Sequence, residues 1–408
     1  MPHAAEPDES ASASSRAAAT ESVVLGGAAQ IGPWRTVWRP GDEPGRRRFV
    51  SVGAVTLELG SVLPEVTVCF ETWGELNADA SNAILVLHGF TADSHAAGPA
   101  MPGHPEVGWW DSVIGPGTGI DTNRWFVVCP NVLAGCQGTT GPSSIAPDGR
   151  PWGSRWPVTT PRDMVSVEAR LADALGIQRW HAVVGPSLGG MRALEWCTVF
   201  PSRVNRAIVM GVGAQATAEQ IALQTIQIQA ICGDPDFHGG DYYGEGSGSG
   251  PVWGMGIARR VGHLSYRSEL ELQERFSNQP QPGEDPLSPR RDGGRYGVVS
   301  YLDYAATRLE RRFDPNTYVA INEAMNHHDL GRGRMSVKDA MASITSDLTI
   351  VGLDGDRLYP LRLQEELVAL SPRPTALRIV HSIIGHDAFL TEDDQVGEIV
   401  RLALEQGA

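Results

Sequence analysis

Short apolar runs recur along this chain, and each one stops at a turn residue. They are "AILVLHG", "WFVVCPN", "HAVVGPS" and "RAIVMGVG", then, much later, "LTIVGLDGD" and "LRIVHSIIGHD". A strand with one wet face alternates apolar and polar residues, whereas an unbroken apolar run belongs to a strand covered on both faces. Such strands lie parallel in a buried sheet. Parallel neighbours need a crossover, and "TTPRDMVSVEARLADALG" has the pattern of a crossover helix. Thr160 can cap it, Pro161 suits the first turn and Asp163 complements the helix dipole. Met164, Val167, Leu171 and Leu175 form its apolar face, and Gly176 closes it. The alternation predicts an α/β fold with a mostly parallel central sheet flanked by helices. Ahead of it, "FVSVGAVTLELG" and "EVTVCFETWG" alternate and predict an antiparallel pair.

The pattern breaks off near residue 213 and resumes near 347. The interval carries helical patterns such as "ATAEQIALQTIQIQAI" and "VSYLDYAATRLERRF". Between them lie two stretches expected to be flexible loops, "GGDYYGEGSGSGPVWG" and "NQPQPGEDPLSPRRDGGR". This predicts a helical lid over a sheet edge, spanning 214–334, inserted into a core of 31–213 and 335–408. Residues 1–30, rich in Ala, Ser and acidic side chains, are expected to be a disordered tail.

A formal charge of −15 argues against nucleic acid and anionic membranes as partners. The N-terminus lacks the apolar centre of a signal peptide, and no run approaches the length of a membrane span. Five cysteines without a CxxC pair suggest reduced thiols, so a cytoplasmic protein is expected.

Chemistry enters at "HAVVGPSLGGMRALEW". Gly185, Ser187 and Gly189 make a G-x-S-x-G pattern between an apolar strand and a helix. A sharp turn there raises the serine hydroxyl above the sheet, and glycines let strand and helix pass closely. With 47 glycines in the chain the pattern alone is weak; its strand–turn–helix setting gives it weight. A serine hydroxyl also needs a base, and the base needs an orienting acid. On such a sheet these should follow in the order acid, then histidine. Asp354 and Asp356 stand after "LTIVG", and His386 stands after "LRIVHSIIG". Pattern alone leaves the two aspartates equal. The backbone N–H of Leu188 is the first candidate oxyanion donor, with the N–H of Phe90, then of Thr91, as the second. His88 reads as a turn residue beside the site. His327, His328 and Asp329 read as a helix-end polar patch, and no metal site is expected.

Longer blocks then become recognisable: "LHGFTADSHAAG", "GWWDSVIGPGTGIDTNRWFVVCPNVLAGCQGTTGP", "GPSLGGMRALEW", "ARRVGHLSYRSE", "DRLYPLRLQEEL" and "IGHDAFL". Over about residues 32 to 405 the chain resembles the homoserine O-acetyltransferase family of methionine biosynthesis. The resemblance implies an α/β-hydrolase fold with a helical lid, and a homodimer formed through that lid. It implies a triad of Ser187, Asp356 and His386, which selects Asp356 over Asp354, and substrate contacts at Arg259 and Asp387. Homoserine is a zwitterion, so a guanidinium for its carboxylate and a carboxylate for its ammonium suit it. The implied reaction moves an acetyl group from acetyl-CoA, a co-substrate, to L-homoserine, with no bound cofactor. A succinyl donor, a serine acceptor or ester hydrolysis would use the same triad.

Overall fold

A computed structural model describes residues 37–244, 250–290 and 293–405. The tail expected over 1–30 lies outside the described residues, as does the centre of the first glycine-rich stretch. Among the described residues, no helix is long and apolar enough to cross a membrane.

The apolar runs form one eight-stranded sheet. Its strands are β1 (Arg48–Ser51), β2 (Thr67–Trp73), β3 (Ala83–Val86), β4 (Phe126–Pro130), β5 (Trp180–Pro186), β6 (Val204–Met210), β7 (Asp347–Leu353) and β8 (Ala376–Val380). Their order is β1-β2-β4-β3-β5-β6-β7-β8. From β4 to β8 neighbours pair in parallel, while β2 runs antiparallel to both β1 and β4. Alternation of side chains across the sheet divides the core in two. Leu85, Val183, Val209 and Ile350 face one apolar cluster, and Ile84, Val184, Ile208 and Val351 face the other. Each such fully buried aliphatic side chain contributes roughly 1.5–3 kcal/mol over an exposed one.

Helix α1 (Pro161–Ala174) starts as its sequence dictates. Thr160 and Asp163 form a reciprocal capping box, Pro161 opens the first turn, and Met164, Val167 and Leu171 are buried. Helix α2 (Leu188–Val199) is apolar nearly all round because it is covered on all sides. Its two charged residues, Arg192 and Glu195, are fully buried and therefore need partners.

Between β6 and β7 lie α3 (Ala218–Cys232), α4 (Val252–Ser265), α5 (Glu269–Phe276), α6 (Gly297–Glu310) and α7 (Pro315–Asn326). Then α8 (Val337–Ala342) leads into β7, α9 (Leu361–Leu370) joins β7 to β8, and α10 (Asp393–Glu405) packs on the second face. Because β6 and β7 are neighbours, the inserted helices rise from inside the sheet rather than over its lateral edge. Two backbone hydrogen bonds, Ala216 N–H to His328 C=O (2.9 Å) and Leu330 N–H to Ala214 C=O (3.1 Å), tie the two stalks of the insertion together.

The stretch expected to be a flexible glycine-rich loop is anchored where it is described. Tyr242 is fully buried, and both Tyr242 and Tyr243 donate their hydroxyls to Asp314, at 2.8 and 2.9 Å. A buried carboxylate that also caps α7 through Thr317 N–H supplies the anchor that composition could not reveal.

Candidate active site

Strand β5 ends at Pro186, and α2 begins at Leu188, so Ser187 alone makes the turn. Its φ of 56° and ψ of −122° are strained for a residue with a side chain. The flanking glycines make the turn possible. A Cβ on Gly189 would lie 1.9 Å from the carbonyl oxygen of Leu87, and one on Gly185 would lie 2.1 Å from that of Gly189. The strain lifts Ser187 into a cavity of about 190 Å³, roofed by the inserted helices.

His386 follows β8 and presents Nε2 2.8 Å from Ser187 Oγ. Its Nδ1 lies 2.6 Å from Asp356 Oδ2. Donation of Nδ1–H to that carboxylate leaves Nε2 to accept the serine proton. The other oxygen of Asp356 accepts the N–H groups of Leu358 and Tyr359, each at 2.8 Å, which fixes the carboxylate. Tyr359 stacks on the imidazole at 5.0 Å, and Phe389 meets it edge-on at 5.5 Å. Burial disfavours a charge on His386, but Asp356, by charge and by hydrogen bond, with help from Asp387, raises its pKa above the usual value.

Asp354 has its own histidine. It bonds His381 Nδ1 at 2.7 Å and the N–H of Ser382 at 2.9 Å, on the protein surface and away from Ser187.

The candidate oxyanion donors bracket the serine. Leu188 N–H opens α2, where first-turn amides have no partner inside the helix. Phe90 and Thr91 line the cavity with Ser187, on a loop whose Gly89 would bring a Cβ to 4.0 Å from that of Ser187. This loop is braced from below. Arg192 donates Nη1–H to His88 C=O (3.0 Å) and Nε–H to Glu168 (2.7 Å), and Trp196 also donates to Glu168 (2.7 Å). His88 is buried, accepts the N–H of Val132 on Nε2 at 3.0 Å, and is held neutral by burial and by Arg192.

Arg259 and Asp387 line the same cavity. Arg259 stands 5.6 Å over the Tyr266 ring, with Nε and Nη1 buried and without hydrogen-bond partners. Buried N–H groups of this kind are rarely left unpaired in folded proteins. Asp387 pairs with Arg267 at 3.2 Å, a partner that no motif in the chain pointed to. Burial pushes the Asp387 carboxyl above the usual carboxylate range, and Arg267 opposes that shift.

Other residues of the cavity carry no local sequence signal. Tyr266, Arg312 and Asn322 reach it from different parts of the insertion. Glu71, His95 and His104 form a buried trio of metal-binding donor types. Most of their polar atoms are engaged with one another or with neighbouring groups, while His95 Nε2 is buried without a hydrogen-bond partner. His95 Nδ1 lies 3.0 Å from Glu71, Ser94 donates to Glu71 at 3.1 Å, and His104 Nε2 accepts Arg46 N–H at 3.1 Å. His328, of the patch read as structural, bonds Gly213 C=O at 2.9 Å.

The α/β hydrolase fold family matches residues 82–393. A homoserine O-acetyltransferase of Thermobifida fusca is 52% identical over 375 residues, covering 92% of this chain and 98% of that protein. One from Mycolicibacterium smegmatis is 52% identical over 357 residues, covering 88% of this chain and 92% of the relative.

The chain belongs to the homoserine O-acetyltransferase family.

Among solved structures, the family's Bacillus anthracis member superposes with a TM-score of 0.81 at 28% identity, covering 88% of this chain and 97% of that one. Esterase E22 superposes with a TM-score of 0.80, also at 28% identity, with 88% and 99% coverage. The homoserine O-acetyltransferase fold is thus shared with a protein described as an esterase. What distinguishes the two chemistries must lie in the side chains around the serine rather than in the scaffold.

Proposed function

We propose that this protein transfers an acetyl group from acetyl-CoA to the hydroxyl of L-homoserine. The observation that carries the reading is the continuous hydrogen-bonded chain Ser187–His386–Asp356 inside a roofed cavity, beside the open guanidinium edge of Arg259. His386 takes the Ser187 proton as Oγ attacks the thioester carbonyl carbon. The carbonyl oxygen becomes an oxyanion facing Leu188 N–H and an N–H of the Phe90–Thr91 loop. Collapse breaks the C–S bond, His386 returns the proton to the leaving sulfur, and an acetyl-serine and coenzyme A result.

Homoserine then enters with its carboxylate on Arg259 and its ammonium beside Asp387. His386 accepts its hydroxyl proton as that oxygen attacks the acetyl-serine, and collapse returns the proton to Ser187. Water is the competing acceptor. Ser187, Asp356 and His386 are all buried, so a bound, oriented alcohol outcompetes solvent through proximity and exclusion.

Incubation with acetyl-CoA should add one acetyl group at Ser187, detected by peptide mass, and homoserine should remove it. Competition among acetyl-CoA, succinyl-CoA, homoserine and serine separates the related transferases. Acyl-CoA hydrolysis at the same rate with and without homoserine would overturn the reading in favour of an esterase.

The same reading carries a cytoplasmic homodimer joined through the insertion. Ile226, Trp253 and Leu270, all on inserted helices, expose large apolar side chains, as an interface would. Sedimentation as a monomer at micromolar concentration would overturn it.

A further inference from the structure

Beyond the catalytic cavity lies a second one, of about 290 Å³, framed by α4, α5 and α6. Its wall includes Arg259, Arg267, Arg275, Arg308 and Arg312, together with His263, and among the described residues no carboxylate lines it. Such a concentration of cations stands out in a chain whose formal charge is −15. Arg259 and Arg312 line the catalytic cavity as well, so the two spaces meet at those side chains.

The geometry points to a subsite for the phosphate-bearing nucleotide end of the acyl-CoA donor. This rests on the proposed function, and it adds where the donor's charged end is held. The serine must meet the thioester at one end of a long flexible arm, while the phosphates at the other end need several cations. Guanidiniums pair with phosphate oxygens two at a time, so clustered arginines suit that task.

The way these arginines are held supports the assignment. Aromatic faces brace several of them: Arg275 stands 4.5 Å over Tyr301, Arg308 5.8 Å over Tyr304, and Arg259 5.6 Å over Tyr266. A ring supports the face of a guanidinium and leaves its N–H edge available. Neighbouring acids neutralise the group only in part. Glu271 lies 3.3 Å from Arg275 and 3.9 Å from Arg267, Asp387 lies 3.2 Å from Arg267, and Glu106 pairs with Arg308. Nε of Arg267 is buried without a hydrogen-bond partner, while the open edge of Arg259 faces the catalytic cavity and is kept for the acceptor. The field of the cluster registers on His263. Burial first, then Arg259, Arg267, Arg275 and Arg308, push its pKa down to about 3.

The test compares acetyl-CoA with the acetyl thioester of N-acetylcysteamine, which carries the same reacting group without phosphates. The variants are Arg275→Gln, at a half-exposed side chain, and Arg275→Gln/Arg308→Gln. Preference for acetyl-CoA, as a ratio of kcat/KM values, should fall about tenfold for each lost guanidinium, mainly through KM. Calorimetry should show adenosine 3′,5′-bisphosphate binding wild type, and binding the double variant at least tenfold more weakly. An unchanged preference ratio in both variants overturns the subsite. So does absence of bisphosphate binding to wild type. Inorganic pyrophosphate binding as tightly as the bisphosphate would overturn the assignment to a nucleotide end. If wild type moves acetyl groups to homoserine from neither thioester, the functional reading fails by itself, and calorimetry still decides whether the cavity takes the nucleotide.

Discussion

Replacing Arg192 with methionine separates two jobs performed by one buried side chain. Arg192 is fully buried, and its guanidinium joins Glu168 to the carbonyl of His88, just before the loop that carries the candidate oxyanion amides. Methionine fills much of the space and removes the charge. Glu168 then keeps only the Trp196 N–H as partner in a site where burial already raises its pKa. Breaking one half of a buried pair costs about 3–5 kcal/mol. For a chain of this length, unfolding entropy converts that into a melting temperature lower by roughly 4–6 °C. The gap should narrow towards pH 4. A carboxyl whose folded-state pKa is raised favours the folded state below its unfolded pKa, and that contribution is lost as pH rises. Adding Glu168→Gln removes the orphaned charge and should recover most of the melting temperature. The rate should not recover, because His88 C=O lacks its donor in both variants and the oxyanion loop is loosened. Ser187 acylation should stay about tenfold to a hundredfold slow, part of what an oxyanion donor provides. Differential scanning calorimetry and stopped-flow release of coenzyme A measure the two quantities. Melting of Arg192→Met within 1 °C of wild type would refute the buried-pair argument, and recovery of rate together with stability in the double variant would refute the brace.

Other expectations follow from the same geometry. Asp356→Asn should cut acylation by about 10⁴, as the lost carboxylate no longer orients His386; Asp354→Asn, whose carboxylate bonds the exposed His381 and the N–H of Ser382, should stay within about twofold in the same assay. The base must be neutral, and the pKa of His386 is raised, so log kcat/KM should fall as pH drops through a value above 6.5. The sign for stability is opposite: protonated His386 favours the folded state, a contribution complete below 6.5 and lost as pH rises through the folded pKa. Gly189→Ala would drive a Cβ to 1.9 Å from Leu87 C=O, so soluble yield should collapse, or the melting temperature should fall further than in Arg192→Met.

The scaffold was legible because buried parallel strands leave unbroken apolar runs, and the runs read from sequence fall on β3 to β8. The serine turn was legible because close backbone passage demands glycine at fixed offsets. The acid was not separable by pattern, since Asp354 and Asp356 share one turn and each bonds a histidine. Only the path of the backbone turns Asp356 inward. Arg267 and Arg312 left no signal, because convergence from separate parts of the insertion has no spacing along the chain. The trio of Glu71, His95 and His104, all in the core, was hidden because its members follow no metal-ligand spacing. The buried anchoring of Tyr242 was masked by the glycines around it.

The tied stalks at Ala214–Ala216 and His328–Leu330 let the inserted helices behave as a cassette. Ser187, Asp356 and His386 all lie outside it, while Arg259, Arg267 and Arg312 lie within it. Such an arrangement lets a lineage keep its bond-making apparatus intact while substitutions among the inserted side chains change what is acylated and by what. Kinship between transferases and esterases on one scaffold is the outcome to be expected of a molecule divided in this way.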